Sequence, residues 1–105
     1  MKQPHHPPID GIGLTEVLGA LSDPVRLSIV ATLADGEPRS CGAFELPVVK
    51  STLSHHLKVL REAGIIASRM DGTRCFLTLR PELEDRFPGL LAHVLRLAGQ
   101  TSPAA

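Results

Sequence analysis

Small polar and basic side chains are concentrated in two neighbouring segments, LSHHLKVLREAGI at residues 53–65 and SRMDGTRCFLTL at residues 68–79. Serine, threonine and histidine side chains hydrogen-bond to base edges, and lysine and arginine neutralise phosphates. Phosphate contacts position a protein on a duplex, whereas base-edge contacts read its sequence. The candidate residues for such contacts are Lys50, Ser51, Thr52, Ser54, His55, Lys58, Arg69 and Arg74.

A one-sided helix over residues 50–63 positions most of these groups, and Gly64 suits the residue that ends it. At about 100° per residue, the helix has an apolar side and an outward side. The apolar side consists of Leu53, Leu57 and Leu60. The outward side includes Ser51, His55 and Lys58. His56 lies at the boundary between the two.

A β-hairpin is predicted directly after this helix. The β-prone runs at residues 65–70 and 73–79 flank Asp71-Gly72, a strong signal for a two-residue turn. Arg69 and Arg74 then lie beside the turn, at the tip of the hairpin. A polar-faced helix followed at once by a basic hairpin is typical of a winged helix-turn-helix.

The rest of the chain supplies further helices. Leu14, Val17, Leu18 and Leu21 have helical spacing, and Asp23-Pro24 is a good start for a second helix that Gly36 ends. We also predict a short helix over residues 41–46, a turn over residues 81–86 and a final helix over residues 88–98. We predict a mainly α fold (α+β) with about five helices and a two-stranded wing. Residues 10–99 form one domain between a disordered arm (1–9) and a disordered tail (100–105).

Charge is distributed unevenly although the formal net charge is zero. Residues 50–80 contain six Lys/Arg and two Asp/Glu, whereas residues 1–49 contain three Lys/Arg and six Asp/Glu. The predicted helix and hairpin therefore hold the positive charge, as expected for a surface that binds nucleic acid.

The segments ALSDPVRLSIVATLADGE, STLSHHLKVLREAGI and SRMDGTRCFLTL occur in the order and spacing of one known family. Over residues 18–80 the chain resembles the ArsR/SmtB family of bacterial winged-helix repressors. The resemblance implies a DNA-binding homodimer in which residues 50–63 form the recognition helix. One departure from the family is Val49, where many relatives place a capping serine or threonine.

The final helix is apolar over more than half its circumference, which indicates a subunit interface. The resemblance implies that the first and last helices form it. The candidate interface residues are Leu14, Val17, Leu18, Leu91, Val94 and Leu95.

The family's metal sites are incomplete in this chain. The region of the third helix has a single cysteine, Cys41, and the last helix offers only His93, with Asp85 eight residues earlier. Adjacent His55 and His56 point about 100° apart, so they cannot readily share one ion; we expect one to face DNA and the other to pack or hydrogen-bond. The histidines of the N-terminal arm could bind metal only loosely. We predict no metal and no cofactor.

Cys41 and Cys75 have no short spacing, so reduced thiols are expected rather than a disulfide framework. Cys41 is the candidate thiol sensor, because it lies near a predicted helix start, where the dipole lowers a thiol pKa. Its alternative role is a small buried apolar residue. Metalloid binding stays open if Cys41 recruits Cys75 or a thiol of a partner subunit.

Other classes of protein are less consistent with the sequence. It has no transmembrane-length apolar segment and no secretory signal, so we expect a cytoplasmic protein with no membrane partner. It has no nucleophile elbow, phosphate loop or paired-carboxylate signature, so we expect no enzyme. The alternative to an operator-binding repressor is a winged-helix protein-interaction module. The effector, whether small molecule, redox signal or metal, is not encoded in any pattern.

Overall fold

The computed structural model describes residues 4–44 and 48–100. These residues fold into five α-helices and a three-stranded antiparallel sheet. The predicted mainly α fold with a β-hairpin is confirmed. The elements are α1 (Leu14–Ala20), α2 (Pro24–Leu33), β1 (Arg39–Ser40), α3 (Lys50–Glu62), β2 (Ile66–Asp71), β3 (Arg74–Leu79), α4 (Pro81–Arg86) and α5 (Leu90–Gln100).

The predicted start of α2 is confirmed. The Asp23 carboxylate accepts hydrogen bonds from the backbone N–H groups of Val25 and Arg26, at 2.9 and 3.0 Å, and Pro24 occupies the first helical position. These bonds satisfy two of the donors that the first turn of a helix leaves without an intrahelical partner.

The hairpin of β2 and β3 is confirmed, but its turn lies one residue later than predicted. Asp71 pairs with Arg74, so Gly72 and Thr73 form the turn. Gly72 has φ +64°, and a type II′ turn requires a positive φ at its first central residue. Asp71 therefore stays in the strand, and glycine occupies the first turn position rather than the second.

The sheet contains a third strand that the sequence pattern does not reveal. β1 pairs with β3, which gives the strand order β1-β3-β2 and adds a short third strand to the predicted two-stranded wing. Two residues are too few to show an alternating pattern. The predicted helix over 41–46 is instead a single 3₁₀ turn, Cys41–Ala43, and residues 45–47 lie outside the described residues. The predicted turn at 81–86 forms α4, with Pro81 at its first position.

The core is aliphatic and is shared by the helices and the sheet. Its fully buried side chains include Ile29, Val30, Leu33, Leu60, Ile65, Ile66 and Leu77. Val17 is also fully buried within the chain, where it is part of the core. Its neighbours Leu14 and Leu18 are exposed by 46% and 44%. The apolar residues of α1 thus lie on two sides of the helix: Val17 faces the core, whereas Leu14 and Leu18 face solvent in the single chain.

The end of α3 is set by a close contact. Gly64 has φ +77°, and a Cβ atom at this residue would collide with the Ile12 side chain. Only glycine allows the chain to turn here, because the left-handed conformation disfavours other residues and the space is occupied. The chain therefore passes from α3 into β2 in a fixed direction.

The N-terminal arm contacts the domain through His6 and Pro7. The backbone N–H of Ser68 donates to His6 Nε2 at 2.9 Å, and Arg80 donates to the carbonyl of Pro7 at 2.6 Å. Ser68 belongs to β2, an edge strand, so the arm provides an acceptor for a donor that the sheet leaves unpaired. Residues 1–3 and 101–105 lie outside the described residues.

Candidate nucleic-acid interface

Helix α3 buries one side and exposes the other. His56, Leu57 and Leu60 are buried, and the helix packs against α1, α2 and β2. The exposed residues are Lys50, Ser51, Thr52, Ser54, His55 and Lys58, together with Glu62 at the C-terminal end of the helix. All six candidate residues of this helix are therefore accessible from solvent.

The N-terminus of α3 has an apolar surface that the sequence reading missed as a functional feature. Val49 precedes the helix, makes no side-chain capping bond and is 67% exposed. Its departure from the capping residues of the resembled family is the signal that could have identified it. The first turn of α3 thus offers a branched apolar side chain beside short hydroxyl groups.

The hairpin tip holds two positive charges over one aromatic ring. The guanidinium carbons of Arg69 and Arg74 each lie 5.4 Å from the ring centroid of Phe76, and both arginines are exposed. This distance is within the range of cation–π attraction. Phe76 lies directly opposite Arg69 in the strand register. The ring therefore restrains both arginines beside the turn, a role that the sequence reading did not assign to it.

A hydrogen-bonded group connects α3 to the other helices. Arg26 Nε donates to the carbonyl of Ala20, at the end of α1, at 2.7 Å. Arg26 Nη1 lies 3.2 Å from His56 Nδ1. Because arginine has no acceptor, His56 Nδ1 must accept this bond, which places the ring proton on Nε2. Arg26 therefore connects α1, α2 and α3, and His56 is the hydrogen-bonding member of the histidine pair.

The charge on Asp23 stabilises Arg26 and the first turn of α2. The backbone N–H of Arg26, and then the positive charge of Arg26, hold the pKa of the Asp23 carboxyl below its ordinary value. Asp23 Oδ2 lies 3.9 Å from His56 Nδ1. A carboxylate with a lowered pKa stabilises the fold above its ordinary pKa, and this contribution is lost as the pH falls through the lowered value. The cap is therefore ionised at neutral pH.

The two cysteines, expected as reduced thiols, are paired in the structure. Cys41 and Cys75 form a disulfide, with their Cα atoms 5.6 Å apart. The bond joins the 3₁₀ turn that precedes α3 to strand β3 of the hairpin. Sequence spacing does not reveal the pair, because the two residues are separated by 34 positions and meet only when β1 lies beside β3.

The histidines of the arm have separate environments. Burial, and then the nearby positive charges of Arg80 and Arg61, lower the pKa of His6. The lowered pKa favours the neutral ring, whose Nε2 accepts the bond from Ser68. No group of three or more histidine, cysteine or acidic side chains suited to a metal ion occurs within residues 4–44 and 48–100. Over the same residues, no helix is both long and apolar enough to cross a membrane.

We predict that His56 and Arg26 are energetically coupled. Because a hydrogen bond to a charged group contributes roughly 1.5–3 kcal/mol, a double-mutant cycle of His56→Ala and Arg26→Ala should give a coupling energy of about 1–2 kcal/mol in urea unfolding. His55→Ala is the matched control, and as an exposed neighbour it should change the free energy of unfolding by less than about 0.5 kcal/mol. Additive effects of His56→Ala and Arg26→Ala would contradict the coupling.

Comparison with known proteins identifies the fold and the family. The helix-turn-helix domain family matches residues 21–69. The chain is 40% identical over 80 residues to the HTH-type transcriptional regulator YceK of Bacillus subtilis, covering 72% of this chain and 80% of the relative. It is 36% identical over 73 residues to the arsenical resistance operon repressor of Staphylococcus xylosus, covering 69% of this chain and 70% of the relative.

Solved structures show the same architecture. The transcriptional repressor BigR of Xylella fastidiosa superimposes with a TM-score of 0.66 at 32% identity, over 85% of this chain and 87% of that one. A homodimeric winged helix-turn-helix DNA-binding domain from Mycobacterium bovis gives a TM-score of 0.67 at 26% identity, over 88% of this chain and 83% of that one. The fold, the exposed α3 with its basic hairpin, and these relatives lead to one conclusion: the chain belongs to the ArsR family of winged helix-turn-helix transcriptional regulators.

Proposed function

We propose that this protein is a dimeric repressor that binds a pseudo-palindromic operator in double-stranded DNA. The observation that supports this best is the exposed polar and basic side of α3, followed directly by a hairpin with two arginines at its tip. In a two-fold dimer, two recognition helices would enter successive major grooves about 34 Å apart. The relatives from Staphylococcus and Xylella are themselves repressors.

The exposed side chains have different roles in this proposal. Ser51, Thr52 and His55 read base edges in the major groove, and Val49 contacts a thymine methyl group. Lys50, Ser54 and Lys58 lie on the same exposed side and contact the phosphate backbone. Arg69 and Arg74 reach the flanking backbone from the hairpin.

Exposed apolar residues support a homodimer. Leu14 and Leu18 are nearly half exposed on α1, and Leu91, Val94 and Leu95 on α5 are only partly buried. An isolated domain of this size buries a modest fraction of its surface, so a second copy would supplement the core. The related domain from Mycobacterium bovis is described as homodimeric.

A non-enzymatic role in the cytoplasm, where a repressor would meet its operator, belongs to the same proposal. The second candidate, a protein-interaction module without operator binding, predicts no salt-dependent affinity for duplex DNA. The concentration of positive charge in residues 50–80 favours the repressor.

We predict that substitutions on α3 and on the hairpin have separable effects on DNA binding. Lys58→Ala and Arg74→Ala should weaken binding to all duplexes and reduce the salt slope by about one, because each removes a phosphate contact. Ser51→Ala and His55→Ala should change base preference by about 1–3 kcal/mol. Binding isotherms on cognate and scrambled duplexes at several salt concentrations measure both effects.

The control for these measurements is Arg96→Ala, which removes an exposed arginine of α5, outside the proposed surface. It should leave the affinity for the operator unchanged. Unchanged affinity in all four interface variants would refute the assignment of α3 as the recognition helix.

We predict that α1 and α5 hold the dimer together. Leu91→Glu with Leu95→Glu should produce a monomer, because each large apolar side chain contributes on the order of 1.5–3 kcal/mol when buried at an interface. Leu14→Glu with Leu18→Glu should do the same without disturbing the core, since both are exposed in the protomer. Sedimentation equilibrium measures the mass. Thr73→Glu, in the exposed turn of the hairpin and outside α1 and α5, is the control. Folded double variants that remain dimeric would exclude this interface.

The Cys41–Cys75 pair is proposed as the sensing element, which extends the thiol-sensor role from Cys41 to both residues. Two thiols lose two electrons and two protons to form the disulfide, and an oxidant of the disulfide class, such as oxidised glutathione, is reduced to two thiols. The bond joins the segment before α3 to the hairpin, so its state affects both parts of the DNA-binding surface. The metalloid alternative uses the same two thiolates.

We predict that reducing this disulfide lowers the free energy of unfolding by about 3–4 kcal/mol, because the bond closes a loop of 34 residues in the unfolded chain. Urea unfolding of the oxidised protein, the reduced protein and the variants Cys41→Ser and Cys75→Ser measures the effect. The reduced protein and the two variants should have the same free energy of unfolding. Operator affinity should differ at least about fivefold between the oxidised and reduced forms, a coupling of about 1 kcal/mol. Equal affinities would refute sensing, and arsenite titration of reduced protein tests the metalloid alternative.

A further inference from the structure

A cleft lies between the 3₁₀ turn, α3 and the hairpin. Its volume is about 570 Å³, within the range of sites that hold small molecules. Much of its lining is apolar and includes Phe44, Val48, Leu53 and Leu57. The cysteines of the disulfide form another part of the wall. The cleft can therefore accept a ligand with an apolar body.

The charges around the cleft have one sign. Lys50 and Arg61 line it, and no aspartate or glutamate is among the lining residues that the structure describes. Arg61 Nε is buried and has no hydrogen-bond partner among the residues that the structure describes. A buried donor without a partner is costly, and a bound anion could remove this cost by rearranging the guanidinium to donate to it. The cleft thus combines an apolar wall with a cationic side chain whose buried Nε donor has no partner among the described residues.

We propose that the cleft binds a small amphiphilic carboxylate. The apolar tail packs against Phe44, Leu53 and Leu57, and the head group accepts hydrogen bonds from Arg61. Arginine suits this role because its planar guanidinium matches the two oxygens of a carboxylate. Lys50 adds a second positive charge at the cleft.

The position of the cleft connects the ligand to the DNA-binding surface. Lys50 and Ser54 line the cleft and also belong to the exposed side of α3. A bound anion would compete with phosphate for Lys50 and would restrict the first turns of α3. Ligand binding therefore weakens operator binding; this regulatory step rests on the proposed function, whereas the ligand site does not.

Octanoate is the probe, titrated by calorimetry into the full, DNA-free protein. We expect saturable binding of one octanoate per chain and weaker binding of octan-1-ol, which has the same tail without the charge. Arg61→Gln should weaken octanoate binding on the order of tenfold, because a charge-assisted hydrogen bond is lost. Arg96→Gln, which removes an arginine outside the cleft, should leave it unchanged.

Absence of saturable octanoate binding, equal affinity for octan-1-ol, or a folded Arg61→Gln variant with unchanged affinity would overturn the site. Circular dichroism reports whether Arg61→Gln is folded. If the variant is unfolded, the changes in the amide chemical shifts of the wild-type protein when octanoate is added decide. Changes centred on Phe44, Leu53 and Leu57 support the site, and changes elsewhere overturn it.

Operator binding is measured separately, by fluorescence anisotropy with and without octanoate. Weaker operator binding in octanoate supports the regulatory step. Unchanged operator affinity with octanoate bound overturns regulation and leaves the site standing. A protein that binds no duplex at all would refute the proposed function, while the calorimetry would still judge the ligand site.

Discussion

Helix α3 has to bury one side to stay attached to the domain, and this burial determines which of its residues reach solvent. Leu57 and Leu60 pack into the core, and His56 is buried beside them as the acceptor for Arg26. A helix surface divided in this way has its remaining side free for DNA. The same packing gives α3 a fixed orientation on α1, α2 and β2, so the recognition surface is held by contacts on the opposite side of the helix.

The core alone gives this small domain limited stability, because a short chain buries a modest fraction of its surface and this one contains three phenylalanines, no tryptophan and no tyrosine. Connections between distant segments supplement it. Arg26 connects three helices, the Cys41–Cys75 bond joins the 3₁₀ turn to the hairpin, and His6 attaches the arm to β2. Each connection ends on an element that borders α3 or on the hairpin, so changes in stability and changes in DNA binding are expected to be linked.

The proposed ligand and redox sites share one location. The cleft and the disulfide both lie where the 3₁₀ turn, α3 and the hairpin meet. A ligand or a redox change at this location acts directly on the DNA-binding surface, because Lys50 and Ser54 belong both to the cleft and to the exposed side of α3. Regulation then acts by direct competition and local restraint, without a long pathway through the core.

The sequence by itself determined the helix boundaries at Asp23 and Gly64, the outward side of α3 and the basic hairpin, because capping, helical period and turn preference are local properties. Only the tertiary structure decided which apolar residues of α1 are buried and where the hairpin turn lies. It also brought Cys41 to Cys75, Arg26 to His56 and the arm to β2. These pairs lie far apart in the chain, so their meeting depends on the packing of whole elements, and periodicity within one segment contains no information about it.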